Sequence, residues 1–265
     1  MWSDSHLSLR PTRSSPLDLE IALPGRIQFV SREDLLSLSQ ESFTVSDDAN
    51  FTGAADIRGV SLDALMRALG VSTNETMVVA VCADLYRGHY TKQYIQAHHP
   101  VLVLEVNGQP PEGWPKSKES AYMGPYLISH SHFTPSFKVL AHPDEPQIPW
   151  GVVRLEFHSE TGLLNSIEPH GPLALDPLVQ DGFRIAQQNC WRCHGTEREG
   201  PRKGKLTWEG IALFAATAPR NFANYVRNPQ QVSAAAKMPA NLEYDEATLQ
   251  ALTAYFHTFF RKDKS

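Results

Sequence analysis

A chain of 265 residues, 42% of them hydrophobic and 20% charged, can bury a real core and by length fits one large or two modest domains. No run approaches the roughly 20 apolar residues of a membrane span, and a net charge of −5 excludes the strongly basic balance of a nucleic-acid binder. The charge is unevenly spread: residues 1–176 carry 12 Lys and Arg against 21 Asp and Glu, a net of −9, whereas 177–265 carry 12 against 8, a net of +4. A change of sign at that point predicts two domains with different partners.

Residues 1–20 read as a loose tail, with Pro11 and Pro16 and no periodicity, and the polar start "MWSDSHLSLRPTRSSP" lacks the apolar stretch of a secretion signal. From Ile21 to His158 the pattern is that of a mixed α and β domain. In "RGVSLDALMRALG" the apolar residues Leu62, Leu65, Met66 and Leu69 recur at helical spacing, with Ser61 placed to cap the helix and Gly70 to stop it. "TMVVAVCA" and "PVLVLEVNGQPP" are β-branched apolar runs, the second ending in an Asn-Gly turn, and "WGVVRLEF" alternates as a further strand. Residues 159–176 hold turn formers and form the expected linker. From Pro177 to Ser265 the pattern turns helical, in "LVQDGFRIAQQNC", "PRNFANYVRNP" and "DEATLQALTAYFHTFF". The last of these starts with acidic residues and ends before "RKDK", both favourable to the helix dipole.

Three cysteines cannot close a disulfide framework without leaving one over. Two of them stand in "NCWRCHG". Thiols at i and i+3 share one face of a helical turn and can each add to a vinyl group of a haem, while the adjacent histidine points at the iron. Cys190, Cys193 and His194 fit that attachment pattern. A structural zinc would need a second ligand pair, and no cysteine follows Cys193. A redox dithiol would need a strand before it and gains nothing from the histidine. Met238 lies 44 residues after His194, flanked by Lys237 and Pro239 in a loop, a poor place for a core side chain.

The segment from Pro177 to about Phe260 resembles a class I c-type cytochrome domain. The resemblance is carried by Gly182 and Phe183, the haem motif from Cys190 to His194, Gly200 and Pro201, "YVRNPQQ", "KMP" and "LTAYF". It implies that Cys190 and Cys193 hold one covalent haem c by thioethers, that His194 and Met238 ligate its iron, and that the Pro201 carbonyl orients the His194 ring. Leu206, Trp208, Phe222 and Tyr225 become candidates to wall the haem or to form ordinary core. An iron capped on both sides has no open position for substrate, which implies a carrier of single electrons with no catalytic residue of its own. Haem is attached outside the cytoplasm in most bacterial systems, so the resemblance places the chain in the periplasm, its signal removed or replaced. The cluster Arg198, Arg202, Lys203 and Lys205 would favour a redox partner with an acidic face.

The first domain, read from "RGVSLDALM", "VVAVCADLYRGHY", "PVLVLEVNGQPP", "MGPYLIS" and "IPWGVVRLEF", resembles the molybdopterin-binding domain of the sulfite oxidase class. That makes the whole chain α+β, an α+β domain followed by an all-α one. In that class a cysteine at a strand end ligates molybdenum, and Cys82 has that place. Leu85, Tyr86 and Arg87 follow it where the class has an asparagine and arginine pair, which favours a fold relative without the cofactor. Two alternatives stand beside the carrier: a molybdenum oxidoreductase with Cys82 on the metal and the haem as acceptor, and a docking module that brings a cytochrome to a partner enzyme. His98, His99, His130 and His132 read as hydrogen-bonded or solvated histidines, and Asp84, Tyr86, Arg87 and His89 as candidates for an anion pocket.

Overall fold

The computed structural model describes residues 7–46, 48–72, 76–117, 120–131 and 144–260. These separate into two compact units, one made of 7–131 and 146–163, the other of 144–145 and 164–260.

The first unit is built on a mixed sheet of nine strands: β1 Leu19–Leu23, β2 Arg26–Val30, β3 Glu41–Val45, β4 Ala55–Ser61, β5 Thr76–Cys82, β6 Arg87–Tyr90, β7 Val101–Val106, β8 Tyr126–Ser129 and β9 Trp150–Ser159. The order β2-β1-β9-β8-β7-β4-β3 makes β9 the hub, with β5 and then β6 added on its other edge. β5 covers β9 from Val152 to Ser159, so β8, at Trp150 and Val152, and the parallel strand β1, at Arg154–Glu156, must share the opposite edge. Residues 7–18, which carry no periodicity, are nevertheless held: Arg10 and Phe29 exchange backbone hydrogen bonds, and Leu7 and Leu9 pack on the core.

Helices α1 Arg32–Ser37, α2 Leu62–Ala68 and α3 Lys92–His98 cover one face. Ser61 caps α2 by accepting from the Ala64 N–H, as its position predicted, and Gly70 follows the helix at a φ of +67°. β7 shows why "VLVLEV" reads as one apolar run. Leu102 and Leu104 face the helices with Leu65, Tyr94 and Leu155, whereas Val103 and Val106 face a second cluster with Trp114, Met123 and Leu127. A strand buried on both faces loses the alternation of a half-exposed one. Asn107 and Gly108, at φ +53° and +68°, close the turn after it.

The second unit is helical: α5 Pro177–Gln188, α6 Trp208–Thr217, α7 Pro219–Arg227, α8 Pro229–Val232 and α9 Glu246–His257, preceded by a short α4 Glu160–Leu164 where the units divide. Asp176 caps α5 through the Leu178 N–H at 2.9 Å, with Pro177 in the first turn, where its missing N–H costs nothing. Asp245 caps α9, accepting from the Thr248 N–H at 2.8 Å and the Thr248 hydroxyl at 2.7 Å. α5 and α9 cross at Gly182, where a side chain would run into the Ala251 carbonyl and the Tyr255 Cβ. Glycine here lets two backbones approach, and the core beside it is aromatic: Trp208, Tyr255 and Phe256 are fully buried and Phe222 nearly so.

Candidate functional site

The site starts where α5 ends. Asn189 closes that helix, and Cys190–Arg192 continue as a single 3-10 turn in which the Cys193 and His194 N–H groups both bond the Cys190 carbonyl, at 3.2 and 3.0 Å. Side chains three apart on such a turn eclipse one another, which brings both thiols to one side. Burial, and then the neighbouring Cys193, push the Cys190 thiol up to about 12, so it stands as a neutral thiol.

His194 is held by its own loop. Its Nδ1 lies 2.8 Å from the Leu206 carbonyl, which can only accept, so Nδ1 carries the proton and Nε2 keeps its lone pair. Burial lowers the His194 pKa and the bond to Leu206 opposes that, leaving a neutral imidazole, the form that ligates metals. The Pro201 carbonyl, expected to orient this ring, does not do so: Leu206 takes that place. The reason is the path of the loop. Gly204 donates its N–H to the Cys193 carbonyl at 2.7 Å and lies so close beneath the imidazole that any side chain there would overlap the ring. That turn carries the chain back past His194 two residues later, while Pro201 is buried against Gly195. The Trp208 N–H then closes the loop on the Gly195 carbonyl at 2.7 Å.

The other expected residues divide. Trp208 donates its indole N–H to the Tyr255 hydroxyl at 3.1 Å and packs on Phe256, and Phe222 packs between Phe214 and Phe256. Tyr225 is half-buried, with its ring 6.1 Å from Phe214. The Leu206 side chain is exposed, as are Leu213, Val232 and Leu242, an apolar set along the segments between His194 and the region just past Met238. Met238 is half-buried on a separate loop, and its carbonyl accepts from Gln230 Nε2 at 2.8 Å. Among the described residues no three His, Cys, Asp or Glu side chains converge as a metal cage. Two thiols on one side, a neutral imidazole with a fixed tautomer and a glycine beneath the ring fit a haem, which brings its own four nitrogens.

In the first unit Cys82 ends β5 at 3% exposure, inside an apolar cluster with Ala80, Tyr90, Tyr126 and Val152; its N–H bonds the Tyr86 carbonyl at 2.9 Å. These are the surroundings of a packed core thiol. Arg87 is matched by Glu156 at 3.2 Å, which takes its charge from the anion pocket that the sequence suggested. Burial would raise the Glu156 carboxyl, but His158, Arg87 and Arg154 outweigh it and hold it at about 2. His132 lies outside the described residues.

His130 is buried, 3.1 Å from the Tyr94 hydroxyl, and burial followed by the nearby His98 pushes it down to about 3. Its folded pKa lies below the ordinary 6.5, so its neutral form stabilises the fold fully above pH 6.5 and the contribution is lost as pH falls below it. Urea titration is therefore expected to show a midpoint that falls from pH 7 to pH 5, with a slope of up to about 1.4 kcal/mol per pH unit. His130→Gln should flatten that slope.

Residues 177–256 match the family model described as cytochrome C oxidase, cbb3-type, subunit III. No curated protein matches the chain. The matched segment contains the cysteine pair, His194, Leu206 and Met238, and it makes the second unit a c-type cytochrome domain within a haem-containing electron-transfer protein.

Proposed function

We propose that this chain is a monohaem cytochrome that passes single electrons to or from a redox partner in the periplasm. Cys190 and Cys193 would hold the haem by thioethers, and His194 and Met238 would ligate its iron. The observation that carries the reading is the bond from His194 Nδ1 to the Leu206 carbonyl, because it fixes the tautomer and leaves Nε2 as the ligand atom beside two adjacent thiols. When bound, the haem supplies a one-electron couple whose potential an imidazole and thioether pair raises. The protein's part is to hold the imidazole neutral and oriented, to bring a thioether from the Met238 loop and to keep water from the iron.

The exposed residues Arg198, Arg202, Lys203 and Lys205 follow His194 on the same loop, and they give the partner's acidic face its complement. Arg202 also braces the loop through the Thr196 and Glu197 carbonyls, at 2.6 and 2.8 Å. In this reading the first unit, with its sulfite-oxidase-type fold, is a module without molybdopterin. Metal analysis of protein matured in a host that makes both cofactors should give iron equal to the chain and no molybdenum. Molybdenum in equal amount would replace this reading with a molybdenum oxidoreductase in which Cys82 ligates the metal.

A further inference from the structure

We propose that Tyr255, on α9, is a positioning residue for the haem iron: through Trp208 it sets the hydrogen bond between the Leu206 carbonyl and His194, and so tunes the midpoint potential. The inference rests on His194 as axial ligand.

The loop from Gly195 to Thr207 is poorly able to hold a carbonyl by itself. It has glycines at 195, 200 and 204, the second at a φ of +98°, and most of its other side chains are exposed. Thr196 and Glu199 bond each other, the Glu197 N–H donates to Glu209, and Thr207 caps α6; three further ties hold its path. Gly204 is tied to the Cys193 carbonyl, Arg202 to those of Thr196 and Glu197, and Trp208 closes the loop on Gly195. Leu206 lies between the first and last of these. Of the two, Trp208 is also anchored by its side chain. The indole is fully buried, packs at 5.1 Å on Phe256, and donates its N–H to the Tyr255 hydroxyl at 3.1 Å. Tyr255 is fully buried as well and donates in turn to the Ile167 carbonyl. One hydroxyl thus serves as acceptor to α6 and donor to the segment before α5.

The consequence follows from the cost of an orphaned polar group. Without the Tyr255 hydroxyl, the buried Trp208 N–H has lost its partner, and the indole must shift to find another. A shift of Trp208 moves the Leu206 carbonyl two residues away and lengthens its bond to His194. A weaker bond makes the imidazole less basic toward iron, which favours the reduced state and raises the potential.

The test compares the haem-loaded wild type with Tyr255→Phe, Trp208→Phe and the double variant. Each single variant should raise the midpoint potential while the methionine-to-iron charge-transfer band persists, and the double variant should shift it no further than the larger single shift. Potentials that match the wild type, with only a lowered melting temperature, would overturn the inference and leave Tyr255 as core. A second measurement needs no variant. In the reduced wild type the His194 Nδ1–H and the Trp208 indole N–H should exchange with solvent at rates within about tenfold of each other, because one opening releases both; exchange of His194 alone, a hundredfold or more faster, would overturn it. A failure of the underlying reading looks different: the wild type itself would lack the spectrum of a histidine-ligated haem.

Discussion

Protein carrying Cys190→Ser and Cys193→Ser is expected to lose its covalent haem altogether. After denaturing electrophoresis the wild-type band should stain for haem, and the double variant should not. Each single variant should keep one thioether and show the red-shifted reduced band of a haem with one vinyl group unsaturated. The argument is chemical. Cys190 and Cys193 bracket a 3-10 turn, and the eclipsed spacing directs both sulfurs to one side, where each can add across one vinyl group. Haem staining that survives the double substitution would mean that the haem is held elsewhere than at these two cysteines.

Met238→Ala carries the second large effect. Loss of the thioether should open the sixth position, convert the reduced protein from low to high spin and lower the midpoint potential by on the order of 0.1–0.3 V, a fraction of the ~0.8 V span over which axial ligands set haem potentials. The Met238 loop is fixed from outside, by Gln230 bonding the carbonyls of Ala236 and Met238 at 3.2 and 2.8 Å. A variant that stays low-spin at an unchanged potential would mean that the sixth ligand lies elsewhere.

Much of the second unit was legible because covalent and capping chemistry leaves side-chain signatures. The Cys-x-x-Cys-His spacing and the glycine at 182 are residue types that no other will replace, and the acidic start of α9 is one of the few types that cap a helix. The Leu206 carbonyl leaves no such mark, since every residue has a carbonyl, whereas Pro201 stands out as a residue type. The available signal was the row of glycines at 195, 200 and 204, which announces a loop folded tightly over its own start. Trp208 and Phe222 could not be assigned from composition, because haem wall and protein core want the same side chains; their partners Tyr255 and Phe256 lie 34 or more residues away.

In the first unit, β5, β7 and β9 stood out by their apolar runs, and Ser61 marked the start of α2. The hairpin of β1 and β2 turns at Pro24 and Gly25; β1 alternates cleanly between buried and half-buried residues, but β2, buried only at Val30, gives no matching pattern to pair with it. The parallel pairing of β1 with β9 joins Glu20 to Arg154, and no local pattern encodes a contact over that distance along the chain. The buried thiol of Cys82 illustrates the converse. Its place at a strand end is legible in the sequence, whereas its apolar neighbours Tyr90, Tyr126 and Val152 come from distant strands.

An iron closed on both sides would carry electrons without binding substrate. Carbon monoxide tests this directly, since it binds ferrous haem only where a coordination position is open. The reduced wild type should keep its spectrum under carbon monoxide at neutral pH, and reduced Met238→Ala should convert at once. Rapid conversion of the wild type would contradict the account and make the haem a reactive site.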